Sequence, residues 1–180
     1  GGLTAMLLGS KHPELVSKVV SVDGLPFIGS IFTGSNSTTV STLNPQALQM
    51  KSFFESMSPS QLAHQVQMGV SRQVTHKDGQ AFVIGMAGKS HPQTVAKMLF
   101  DIMSIDLRRD MASFEKPLTL IGASGALPTK QAKSLTQNMY QEQIADAKNG
   151  QVIMNEQARH FVMLDAPQWL NNQLADELGI

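Results

Sequence analysis

An α/β fold is predicted by this sequence: a parallel sheet of three strands flanked by helices, with a helical cap inserted between two of the strands. Three observations carry the prediction. Val19, Val20 and Val22 in K-V-V-S-V-D-G-L-P-F form a β-branched run with the composition of a strand buried on both faces. Leu118-Thr119-Leu120-Ile121-Gly122 repeats that pattern far downstream, again ended by glycine. The stretches around and between these runs carry helical spacing instead. Strands alternating with helices argue for a parallel sheet with right-handed crossovers.

Composition narrows the possibilities. A chain of 180 residues can bury one substantial core. Lys plus Arg number 14 and Asp plus Glu also 14, so no net field steers the protein towards nucleic acid or anionic lipid. No apolar run approaches the length of a membrane span. The absence of cysteine excludes disulfides and thiolate chemistry within this chain and leaves the compartment open. Eleven Met stand against one Trp and one Tyr, seven of them between Met50 and Met111.

The elements follow in order. Leu3, Met6, Leu7 and Ser10 sit at i, i+3, i+4 and i+7, an apolar stripe on a short helix entered through Gly1-Gly2. His12-Pro13-Glu14-Leu15-Val16 turns the chain into the first strand. Asp23, Gly24, Leu25 and Pro26 end that strand and put a carboxylate at the carboxyl edge of the sheet, where ligands collect in open α/β folds. Gly29 to Thr42 is rich in Gly, Ser, Thr and Asn and reads as loop. Asn44-Pro45 reads as an N-cap followed by a first-turn proline, ahead of a stripe of Met50, Phe53, Phe54 and Met57. Ser58-Pro59 starts a second helix with Leu62, Val66 and Val70 on one face. Asp78-Gly79 reads as a turn and Gln80 to Ala87 as a short helix. Ser90-His91-Pro92 opens another, carrying Val95, Met98, Leu99, Ile102 and Met103.

These helices delimit a cap over residues 28–111, inserted into a core of residues 1–27 and 112–180. Met and Phe on its inner face would give a deformable apolar pocket. Beyond it, Arg108 to Phe114 leads back to the second strand. Pro128 and Thr129 open a polar, solvated helix to about Lys148, and Asn149-Gly150 turns into a third strand, Gln151 to Met154. Asp165 and Gln168 have the spacing of a capping box before a last helix with Leu170, Leu174 and Leu178.

Gly1-Gly2, the small and apolar helix, H-P-E-L-V and then V-V-S-V-D-G resemble the segment just after the nucleophile elbow of α/β-hydrolases, where the elbow reads G-x-S-x-G-G. The resemblance covers nearly the whole chain but only the carboxyl-terminal portion of that family's fold. It implies a nucleophile (Ser, Asp or Cys) two residues before Gly1, and hydrolysis of an ester, amide or similar bond in a small apolar substrate. No cofactor is implied. The family's order of nucleophile, acid, histidine makes His160, in A-R-H-F after the last strand, the expected base. The acid often follows the preceding strand as G-x-x-D, but Gly122-Ala123-Ser124-Gly125 has glycine there. Some members place it one strand earlier, where Asp23 stands, so Asp23 is the expected partner of His160. The bare alternative for Asp23 is a turn residue making an Asx hydrogen bond. Asp106 is a weaker rival that more simply pairs within Asp106-Leu107-Arg108.

His12, His64, His76 and His91 lack the spacing of a metal site, so no metal is expected. Gly122 to Gly125 lacks the Lys-Ser/Thr of a phosphate loop. Two further expectations follow from the resemblance. These 180 residues alone would be inactive. The strand Val19 to Val22, internal in the family's sheet, would present an apolar edge prone to self-association. The alternative function is a non-catalytic binding or interaction module on a hydrolase scaffold, distinguished by a Gly or Ala two residues before Gly1.

Overall fold

Three strands, β1 (Val19–Val22), β2 (Leu118–Ala123) and β3 (Gly150–Asn155), pair in parallel in the order β1-β2-β3. The computed structural model describes residues 1–179. Register runs Val19 to Leu118 and Leu118 to Gly150, so the three strands start level with one another, and β2 and β3 run two residues past the end of β1. The central β2 is buried from Leu118 to Gly122. In β1 only Val19 and Ser21 are buried, while Val20 and Val22 are half-buried. The double-sided burial expected of both strands therefore holds for β2 alone, because β1 pairs on one side only and its second face borders a cleft.

Alternation in the strands decides which helices cover which face. Val19, Leu118 and Leu120 point to a layer made by α1 (Gly2–Lys11) and α7 (Lys130–Gln143), packing with Met6, Met111, Phe114 and Tyr140. Val20, Val22 and Ile121 face α8 (Val162–Asp165) and α9 (Pro167–Leu178), packing with Val162, Trp169 and Leu170. Gly9 lets α1 lie against the sheet, since a Cβ there would fall 2.8 Å from the Phe114 ring and 3.0 Å from Val19. At the opposite edge one carboxylate ties the starts of all three strands. Glu177 of α9 accepts from Lys18 Nζ (2.8 Å), Thr119 Oγ1 (2.7 Å) and Gln151 Nε2 (2.6 Å). The Lys18 hydrogen bond, helped by those from Thr119 and Gln151, holds Glu177 below the usual carboxylate range against the opposing effect of burial.

Between β1 and β2 the chain is helical: α2 (Gly29–Thr33), α3 (Val40–Glu55), α4 (Pro59–Gly69), α5 (Lys77–Ala87) and α6 (Pro92–Ser104), then a 3-10 turn at Arg109–Ser113. Leu43 and Ala47 of α3 pack with Met103 of α6 around Phe27. Val83 of α5 packs with Val70 and Val74, and this cluster meets Phe161 and Leu164 of the core.

Several boundaries differ from the sequence reading. Residues 29–42 are not all loop: α2 lies within them, and α3 starts at Val40 behind Thr39, whose Oγ1 accepts from Thr42 N. Pro45 thus sits inside α3. The carbonyl it leaves without a donor is that of Ser41, and both residues are exposed, so it is not left in a dry interior. Asp78 and Gly79 form the first turn of α5, where an acidic side chain complements the helix dipole. α7 stops at Gln143 because Ile144 and Ala147 turn into the core, and it is not solvated all round: Tyr140 and Gln143 are buried. Phe53 and Met98, expected on inner stripes, are 50% and 59% exposed.

Candidate active site

Asp23 closes β1 with φ +52°, a left-handed conformation that Asp tolerates better than most residues. Its N–H donates to the Ile121 carbonyl (2.6 Å), keeping the turn on the sheet. Gly24 follows because the first turn of α1 lies directly on it: a Cβ at Gly24 would fall 2.8 Å from Gly2 Cα. The carboxylate is then fully engaged. Oδ1 accepts from Ala123 N (2.8 Å) and the Tyr140 hydroxyl (2.7 Å), and Oδ2 meets His160 Nδ1 at 2.8 Å. All three partners lie on other elements, so Asp23 is not a local Asx turn.

His160 is carried by the loop after β3, and that loop is held at several points. Asn155 Oδ1 accepts from Gln157 N (2.9 Å) and Ala158 N (2.7 Å), and Ala158 O accepts from Gly125 N (2.8 Å). The α4–α5 connection holds its other side. Arg159 Nη1 donates to Ser71 O, and Phe161 N to Gln73 O (3.1 Å). Asp165 accepts from Thr75 N (2.8 Å), Thr75 Oγ1 (2.9 Å) and Arg159 N (2.9 Å). Partial burial raises the Asp165 carboxyl, and these donors outweigh it, leaving the group below its ordinary range. The expected capping box is thus corrected. Asp165 ends α8 and clamps this loop, while α9 begins behind Ala166 with no side-chain cap.

Gly125 explains why no acid stands after β2. A Cβ built there would lie 2.1 Å from the Gln157 carbonyl oxygen and 2.6 Å from that of Ala158. The position is filled by the backbone of the histidine loop itself, and no side chain fits. Asp23, one strand over at the same edge, reaches the imidazole instead.

Tyr140 was missed by the sequence reading. The one signal was its being the only Tyr in the chain, on a helix otherwise polar. Gly122 admits its ring, since a Cβ at Gly122 would fall 2.8 Å from it. Burial first, then the charge and hydrogen bond of Asp23, push the phenol far above its usual ionisation, so it remains a donor.

With Nδ1 facing a carboxylate, the neutral ring of His160 carries its proton there, leaving Nε2 with a free lone pair. The imidazole is half exposed (52%) and Asp23 nearly covered (10%). Both line a cleft of about 780 Å³ together with Gly1 and Gly2 at the start of α1. Its apolar walls include Val20, Val22, Leu25, Ile28, Ile31 and Ile102, Gln73 contributes an amide, and among the described residues no Lys or Arg lines it. The Met- and Phe-rich lining expected from residues 28–111 is corrected: that segment supplies isoleucines, and Phe161 and Met163 come from beside His160.

Asp106 lies elsewhere. It binds Arg108 through Nε (2.9 Å) and Nη2 (2.6 Å), and Arg108 stacks over Phe27 and donates to Thr38 O (2.7 Å). Burial acts to raise the Asp106 carboxyl, but Arg108 holds it below the usual range. Among the described residues no group of three metal-ligating side chains converges, and no described helix is long and apolar enough to cross a membrane.

A parallel α/β sheet with an imidazole–carboxylate pair on its carboxyl edge is the class of protein that fold and site define. No family model matches the sequence, and no curated protein does. Solved structures do. A hydrolase from Pseudomonas aeruginosa is similar at 16% identity over 100% of this chain (TM-score 0.72), and the enol-lactonase from Burkholderia xenovorans at 17% over 99% (TM-score 0.68). MGS-M2, an alpha/beta hydrolase enzyme from a deep-sea metagenome library, is similar at 11% over 100% (TM-score 0.63). The chain spans 62% of the length of each of the three. It has the α/β-hydrolase fold, of which it makes up the carboxyl-terminal portion.

Proposed function

We propose that this chain is the base-bearing portion of a hydrolase, acting on an ester or similar bond of a small, uncharged, largely apolar substrate. The observation that supports it best is the 2.8 Å contact of His160 Nδ1 with Asp23 Oδ2 beside an apolar cleft. In this reading His160 Nε2 takes the proton released when a nucleophile or water attacks, and returns it to the leaving group. Asp23 holds the tautomer and stabilises the imidazolium. The nucleophile stands two residues before Gly1. The oxyanion is met by the N–H of the residue that follows it, reinforced by the positive end of α1. Residues 28–111 serve as a cap whose Ile28, Ile31 and Ile102 bind the apolar part of the substrate.

Against the alternative of a non-catalytic module, the catalytic reading is supported by the Asp23 contact with His160, which offers a carboxylate although glycine stands at the usual acid position. The test uses the full-length protein and p-nitrophenyl esters of two to eight carbons. His160→Ala is expected to lower kcat by roughly a thousandfold or more, and Asp23→Asn by roughly a hundredfold or more, with KM little changed. Esterase activity that survives both substitutions would refute the assignment.

A further inference from the structure

The rear oxygen of Asp23 carries two donors, and they differ in origin. Ala123 N–H is supplied by the end of β2, which runs two residues past Ile121, the partner of the last β1 residue. The Tyr140 hydroxyl is not: it needs a phenol on the last turn of α7, buried to 3% exposure, and a glycine at Gly122 to admit the ring. A buried phenol needs a partner for its hydroxyl, and Asp23 is the one recorded among the described residues. A donor on one carboxylate oxygen stabilises the negative charge and makes the other oxygen a weaker acceptor.

We propose that Tyr140 is a positioning residue for the Asp23–His160 pair: with Ala123 N–H it fixes Asp23 Oδ2 towards the imidazole, and as the side-chain donor of the two it further moderates how strongly that oxygen attracts the Nδ1 proton. The proposal rests on the reading of the pair given under Proposed function. Tyr140 touches no substrate and acts only through Asp23. In Tyr140→Phe the ring still fills its niche and Ala123 N–H still orients the carboxylate. The charge formerly shared with the phenol returns to Asp23, which then stabilises the imidazolium more strongly.

The test uses the full-length protein. Tyr140→Phe is expected to move the acidic limb of the kcat/KM profile to higher pH, corresponding to roughly a threefold change in proton affinity. KM should be unchanged, and the His160 Nδ1–H proton resonance should move downfield. A profile that stays in place, or a resonance that stays or moves upfield, overturns the proposal and leaves Tyr140 a packing residue. Asp23→Asn separates this from failure of the underlying reading. If it alters neither activity nor the His160 resonance, the pair itself is not functional. Should Tyr140→Phe fold poorly, tyrosine labelled with ¹³C at Cζ gives the same answer in the unmodified side chain. The Tyr140 signal must move on Asp23→Asn, and constancy overturns the proposal.

Discussion

Gly125→Ala puts the geometry of the histidine loop to a direct test. The new Cβ would sit 2.1 Å from the Gln157 carbonyl oxygen, against the 3.4 Å at which ordinary contact begins, so the loop or the β2 turn must yield by about 1.3 Å. Neither side is free to do so. Gln157 and Ala158 are pinned by Asn155 Oδ1, and the Gly125 N to Ala158 O hydrogen bond of 2.8 Å lies across the same gap. Losing that bond between covered groups costs about 1–3 kcal/mol, and overpacking adds about 1–3 kcal/mol. The sum, about 2–6 kcal/mol, is a large share of the stability of an ordinary domain. His160 lies two residues beyond Ala158, so a shift of this size takes its 2.8 Å contact with Asp23 out of hydrogen-bonding range. Urea unfolding of the full-length protein, followed by circular dichroism, would read the loss as a lower midpoint at unchanged slope. The His160 Nδ1–H resonance would report the broken contact. A variant within about 0.5 kcal/mol of the parent that keeps the resonance would refute the packing argument, and with it the reason given for the acid standing at Asp23. Gly125→Asp should fare no better, since its carboxylate has no space to occupy.

Two other perturbations probe the sheet. Glu177→Gln should destabilise the fold by about 1–2 kcal/mol at pH 7 by weakening the hydrogen bonds to Lys18, Thr119 and Gln151. Because the folded carboxyl is held below its ordinary value of 4.5, that contribution is present above about pH 4.5 and lost as pH falls through the lower folded value. The two proteins should therefore converge in acid denaturation, and a gap that persists at pH 2 would contradict the ion-pair explanation. The 180-residue chain on its own should self-associate through the β1 edge, which pairs with β2 on one side only. Light scattering at increasing concentration checks this, with a monomer throughout as the contrary result.

The alternation of strand and helix was legible because it depends on neighbours a few residues apart. The β-branched run Val19–Val22, the apolar run from Leu118 and the helical stripes between them carry their periods in the chain itself. Boundaries were less legible where tertiary context overrides local preference. Pro45 could sit inside α3 because the face it occupies is solvated, and α7 could stop at Gln143 because the core takes Ile144 and Ala147. His160 and Asp23 were singled out through the motifs around Gly1-Gly2 and A-R-H-F.

The sequence by itself determined the layers of this protein, the order of its elements and the two side chains most worth watching. Only the tertiary structure decided what surrounds them: the Tyr140 hydroxyl on Asp23, the backbone that fills the space beside Gly125, and the clamp of Asp165 on Thr75 and Arg159. Apart from the Asp165–Arg159 contact, each of these joins residues far apart in the chain, 117 positions in the case of Tyr140 and Asp23. A hydrogen bond of that kind leaves no periodic trace, because its partner is chosen by how helices settle on the sheet and not by any local preference of the residues that make it.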